Sequence, residues 1–149
     1  LRIAAGRYRI HPADAQMSTR ETLLAALQAA LSGLAGGRVY RSRKEQMPTL
    51  PAIVVRPESE EDPGDLLGVT DTVLTVAIEI YARGDIPDQA ADATLSAVYA
   101  AAIASPDLGL GIDVQILPGR SVTWEIENYD DAGVTLRLRI LYRTAMGAM

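Results

Sequence analysis

The stretch PESEEDPGDLLG, residues 57–68, carries the densest set of oxygen donors in the chain. Glu58, Glu60, Glu61, Asp62 and Asp65 fall within eight residues. Carboxylates crowded in this way suit a hard cation such as Ca²⁺ or Mg²⁺, which takes oxygen ligands. The order ESEEDPGD lacks the spaced D-x-[DN]-x-[DN]-G pattern of an EF-hand loop, and no helical pattern flanks it. The stretch therefore reads as a long, self-repelling loop between two strands, mobile in the free subunit and ordered by a basic partner surface.

A second pair of carboxylates, Glu125 and Glu127, alternates onto one face of a strand pattern, as two catalytic acids would. Arg137 and Arg139 on the following run are expected to face them. A carboxylate beside arginine has its pKa lowered, which opposes general-acid work, so structural pairing is the expectation. The single histidine, His11, lies in the N-terminal stretch, so a Ser/His/Asp triad or a histidine zinc site would need that stretch to fold back. Gly109-Leu110-Gly111 is too short for a phosphate loop and precedes a strand, so it reads as a turn. The absence of cysteine excludes disulfides, thiolate chemistry and cysteine zinc sites, and it fits an intracellular setting. No catalytic, cofactor or metal residues are assigned, and no catalytic set is visible.

The basic counterpart of the acids is Arg38, Arg41, Arg43 and Lys44. The net charge is -5, the pI is near 4.8, and no aromatic residues are interleaved with the basic group. That balance argues against sequence readout of nucleic acid and against an anionic membrane surface as partner. No apolar run approaches the roughly 18 residues of a membrane span.

The elements that position these charges follow from periodicity. Ser18-Thr19-Arg20-Glu21 reads as a capping box. Leu23, Leu27, Leu31 and Leu34 recur at helical spacing, and Gly36-Gly37 stops the pattern, which predicts a helix near 19–35. Val39–Ser42 and Ala52–Arg56 are short strands, the latter with prolines at both ends. Thr72–Tyr81 alternates with period two. Asp85 caps a second helix near 87–104, with Pro87 in its first turn. Ile112, Val114 and Ile116 alternate again. The closing hairpin is expected to turn at Asp131-Ala132-Gly133, pairing Trp124 with Ile140, Ile126 with Leu138, Glu125 with Arg139 and Glu127 with Arg137. Trp124 and Tyr142 then point into the core, with Tyr81, Tyr99 and Tyr129 partly exposed.

The order α-β-β-β-α-β-β-β defines an α+β class: two layers, a mostly antiparallel sheet, and two helices packed mainly on one face. At 149 residues, 48% hydrophobic, with no phenylalanine and one tryptophan, the core must be leucine, isoleucine, valine and alanine. Residues 17–149 read as one domain. Residues 1–16, which precede Met17, read as an upstream extension or as an arm that packs on a neighbouring subunit.

The arrangement resembles the tail terminator (minor tail protein U-like) proteins of long-tailed phages and prophages. The resemblance runs from about Arg20 to Thr144. It is carried by RETLLAALQAAL, RVYRSR, LPAIVVRPESEE, TVLTVAIEIYARGD, PDQAADATLSAVYAAI, LGLGIDVQI, the Trp124 strand and LRLRILYRT. It implies a structural, non-enzymatic role, in which a hexameric ring caps the head-proximal end of the tail tube, ends tube polymerisation and offers the head-joining surface. The implied partners are further copies of the chain, the tube protein and a head-completion or connector protein, with assembly in the host cytoplasm and then residence in the virion tail. Another phage neck or tail-completion protein is the nearest alternative, and a small oligomeric ligand-binding domain or enzyme a more distant one. A cyclic ring needs two different patches that match. Arg38, Arg41, Arg43, Lys44, Glu58, Glu60, Glu61, Asp62 and Asp65 are therefore the interface candidates, with the basic and acidic segments meeting across a subunit boundary or the acidic one meeting the tube.

Overall fold

Ser18 starts the first helix. In this computed structural model, which describes residues 18–42, 49–126 and 131–145 (the side chains of residues 65, 66 and 126 excepted), its Oγ accepts from the Glu21 N–H at 3.1 Å. That bond satisfies one of the orphan donors of a helix N-terminus. Helix α1 spans Thr19–Ala30 and buries Leu23, Leu24 and Leu27. It ends five residues before the limit read from the leucine spacing, because Ser32 and Gly33 follow Leu31 and weaken helix continuation. A short 3₁₀ turn at Ala35–Gly37 reverses the chain. Gly36 has φ +62° there, a left-handed backbone conformation that favours glycine.

Strands β1 (Val39–Arg41), β2 (Ala52–Leu66) and β3 (Val69–Arg83) follow, then helix α2 (Pro87–Ile103), and then β4 (Val114–Ile116), β5 (Ser121–Ile126) and β6 (Asp131–Ala145). The element order and α+β class are those expected. β1 pairs parallel to β2, and every other pairing is antiparallel. Pro87 occupies the first turn of α2 as expected, but the cap position is Ile86, with no side-chain cap, rather than Asp85.

The spatial order is β1-β2-β3-β6-β4, with β5 also on β6. β3 and β6 run beside each other without a bulge from Val69↔Ala145 to Arg83↔Asp131. The outer edge of β6 is shared end to end: β5 takes residues 132–137 and β4 takes residues 140–142. This overturns the expected hairpin register. Trp124 lies opposite Val134 and Glu125 opposite Gly133, not Ile140 and Arg139. Two causes combine. Asp131–Gly133 is already strand, paired with β3, and β4 occupies the segment of β6 that the longer hairpin required.

The core fills one face of the sheet. Leu23, Leu24 and Leu27 of α1, its C-cap Leu31, and Ala91, Val98 and Ala102 of α2 pack on the alternate residues of β3 and β6 from Leu74 to Ala82 and from Ala132 to Tyr142. α2 lies over β3 and β6, and α1 over β2. Tyr142 is buried as expected. Trp124 is 42% exposed, because β5 is an edge strand and its tryptophan overhangs the rim of the core. The opposite face carries no helix among the described residues. It is built of polar rungs such as Arg56–Glu79 and Arg143–Asp71, laid over Ala52, Val54 and Ala77.

Candidate functional site

The acidic stretch is a strand, not a loop. β2 runs through it to Leu66, and a two-residue turn at Leu67-Gly68, φ +50° and +84°, returns the chain as β3. Both turn residues have positive φ, the geometry that matches the twist of the flanking strands. Pro57 and Pro63 are accommodated because β1 covers only Ile53–Val55, which leaves the rest of β2 an edge.

Two register shifts, between Pro57 and Ser59 and between Glu61 and Gly64, reset which way the side chains point. Before the first, odd-numbered residues such as Ile53 and Val55 face the helices. After it, Glu60 stands opposite Leu74 and faces them instead. One extra residue thus turns an acid toward the core side. The carboxylate of Glu60 accepts from both Arg20 Nε and Arg20 Nη2, the latter at 3.1 Å, and from the Tyr142 hydroxyl at 3.1 Å. Arg20 lies in the first turn of α1, so this triad fastens the helix start to β2 and β6.

The hydrogen bond from Arg20 holds the Glu60 carboxyl below the usual carboxylate range, against the opposing effect of its burial. Burial, followed by the neighbouring Glu60 charge, pushes the Tyr142 phenol up. A carboxyl whose folded pKa lies below its unfolded value adds stability above the unfolded value, about 4.3 for glutamate. That stability is lost as pH falls through the folded value. Arg41 holds Glu21 down, and Arg143 holds Asp71 down, in the same way. The urea midpoint is therefore expected to fall as pH drops from 6 to 3. Glu60→Gln should flatten that fall without abolishing it, because Glu21 and Asp71 still titrate. An unchanged pH slope would remove Glu60 from the linkage.

The other interface candidates also have intramolecular partners. Glu58, the bulged residue, accepts from Arg137 Nε at 2.9 and 3.0 Å and lies 3.8 Å from Arg56 Nη2. Asp62 accepts from the Thr72 hydroxyl at 2.7 Å. Glu61 is exposed and has no partner among the described residues. Arg38 Nε donates to the Pro51 carbonyl at 2.9 Å. Arg41 donates through both Nη atoms to Glu21, at 2.7 and 3.1 Å. The Glu21 side chain therefore goes to Arg41, and only the Ser18 half of the expected capping box forms. Arg43, Lys44, His11, Glu127, Tyr129 and the side chain of Asp65 lie outside the described residues.

Arg38 and Arg41 flank and end β1, and the acids follow along β2, so both charge segments lie on one edge of the sheet. Arg20 from α1 and Arg137 and Tyr142 from β6 reach these acids, and charge runs alone do not reveal them. Arg20 and Arg137 lie 40 and 79 residues from their carboxylates. The pairing expected for Glu125 and Arg139 does not form: Arg137 takes Glu58 and Thr123, and Arg139 Nη2 reaches the Pro118 carbonyl at 3.3 Å. Among the described residues no three acidic or histidine side chains converge to hold a metal ion, and no helix is long and apolar enough to cross a membrane.

No family model matches the chain, and no curated protein matches it by sequence. Among solved structures it is similar to a chain of the virion of native gene transfer agent (GTA) particle. The TM-score is 0.65 at 21% identity, over 82% of this chain and 95% of that one. The likeness is one of fold, and it takes in nearly the whole of the virion chain.

Proposed function

We propose that this chain is a structural protein of a phage or phage-like particle, and within it the tail terminator. In that role it forms a ring, expected to be hexameric, on the head-proximal end of the tail tube. The ring ends tube polymerisation and presents the surface that a head-completion or connector protein joins. The observation that carries this reading is the fold shared with a virion chain over 95% of that chain's length. The resemblance of the segments from Arg20 to Thr144 to tail terminators supports the finer role. In this reading the protein acts by contact rather than by catalysis.

The β1–β2 edge, with Arg38, Arg41, Glu58, Glu60, Glu61 and Asp62, together with Arg43, Lys44 and Asp65, is one side of the subunit contact. Its charges set register and association rate more than affinity.

The test is mass measurement and electron microscopy of the chain alone and after mixing with purified tail tubes. A six-membered ring with a tube-sized hole, seated on one tube end and halting elongation, is the expected result. Binding to an isolated head connector but not to tube ends would replace the terminator with a neck protein. Binding to neither would overturn the reading.

A further inference from the structure

A groove of about 350 Å³ opens beside β5, lined by Thr75, Gly119, Arg120, Ser121, Arg137 and Arg139. One of its three arginines already holds a carboxylate, since Arg137 donates to both oxygens of Glu58 from the same chain. The other two have no carboxylate partner among the described residues. Arg139 reaches only the Pro118 carbonyl, and the Arg120 guanidinium lies 4.5 Å from the centroid of the Tyr99 ring. A guanidinium stacked on an aromatic face keeps its in-plane N–H groups available for a carboxylate. Arg137 and Arg139 stand on the helix-free face of the sheet, where the chain fills the first and leaves the second, whereas the Arg120 guanidinium is turned to Tyr99 of α2.

The complementary charges lie across the sheet. β2 stands near one end of the strand order, and β4 and β5 form the other end. On the outer half of β2, Glu61 and Asp62 are exposed. Glu61, opposite Val73, is on the helix-free face and has no partner among the described residues, whereas Asp62 bonds Thr72 on the helix-bearing face. An acid on the β2 edge and an arginine on β6 are two different patches, as a head-to-tail contact between identical subunits requires. A patch that paired with its own neighbourhood on the β1–β2 edge would instead give a two-fold dimer.

We propose that this groove receives the outer half of β2 from a second copy of the chain, with Glu61 of one copy meeting Arg139 of the next. The contact names the counter-surface of the β1–β2 edge. Its closure into a ring rests on the tail-terminator reading, whereas the contact itself does not.

The chain has no cysteine, so introduced thiols report without background. Ser59→Cys on β2 and Ser121→Cys on β5 place one thiol at each proposed surface. Within one molecule they are separated by β3 and β6, three strand spacings or about 14 Å, too far for a disulfide, which needs Cα atoms within about 7 Å. Every bond between them therefore joins two molecules. At high protein concentration, low salt and mild oxidation, the double variant is expected to give a ladder beyond dimer, and each single variant at most a dimer. Adding Arg139→Glu or Glu61→Arg alone should cut the ladder by about tenfold, since like charges then face each other. The two reversals together should restore it.

Monomer or dimer only from the double-cysteine variant overturns the contact, and so does a ladder indifferent to the reversals. A ladder without capping of tail tubes would keep the contact and remove the terminator role. Capping without a ladder would do the reverse.

Discussion

Ile78→Ala is expected to destabilise the chain by about 2–5 kcal/mol, whereas Trp124→Ala should cost about 1–2 kcal/mol. Ile78 is fully buried at the middle of β3, between Val55 of β2 and Leu136 of β6, beneath the helices. Both neighbouring strands are fixed by continuous pairing, so the site cannot collapse around a lost side chain, and the cavity adds to the lost transfer energy. Trp124 is the larger residue, but it overhangs an edge strand and keeps 42% of its surface in water. In the longer hairpin read from the alternation alone it would face Ile140 inside the core, and its truncation would cost about 3–5 kcal/mol. Urea unfolding of the two variants at constant slope decides between the registers. Equal losses would put Trp124 back in the core.

Replacing Pro57, Glu61 and Pro63 together by valine is expected to drive the chain into β-rich aggregates that bind thioflavin T. The wild type should remain dispersed at the same concentration. From Arg56 onward β2 has no outer strand partner among the described residues. Such an edge presents a row of unpaired N–H and C=O groups, a template for any other strand. Pro57 and Pro63 each remove a donor, the two register shifts break the row, and the acids repel a second copy of the same edge. Valine reverses all three features at once and adds high β-propensity. Glu61→Gln alone keeps the prolines and bulges and is expected to stay dispersed. If the triple variant keeps the wild-type size distribution, the edge is protected by something other than these residues.

These two cases also show what can be read from local sequence and what cannot. The Ser18 cap, the second helix to within one residue of its end, and the alternation of β3 and β6 follow from local spacing, and the structure has them. The strand character of PESEEDPGDLL does not follow. Glutamate, aspartate and proline are depleted in strands, and the segment is held extended only by pairing with β3 across the Leu67-Gly68 turn. The closing register was displaced by six residues in its pair sum, from 264 to 258, because the claim of β4 on residues 140–142 comes from a distant part of the chain. At the candidate interface the charge segregation is plain in the sequence, and the partners are not. Glu60 turns toward the core only because a bulge shifts the parity of β2, and Arg20 and Arg137 reach their carboxylates through the fold.

β6 comes last among the described strands yet lies inside the sheet, with β3 on one side and β4 and β5 on the other. Its pairing with β3 joins residues as far apart as Val69 and Ala145. During synthesis the chain therefore waits. The β2–β3 hairpin and both helices emerge first, with the inner edge of β3 unpaired. Non-local pairing of this kind folds slowly, and its intermediates expose strand edges and apolar surface. The complete core needs Val134, Leu136, Leu138 and Ile140, so its closure follows translation of β6. A nascent chain stalled before residue 131 would hold no completed subunit, and so could not begin to assemble while still on the ribosome.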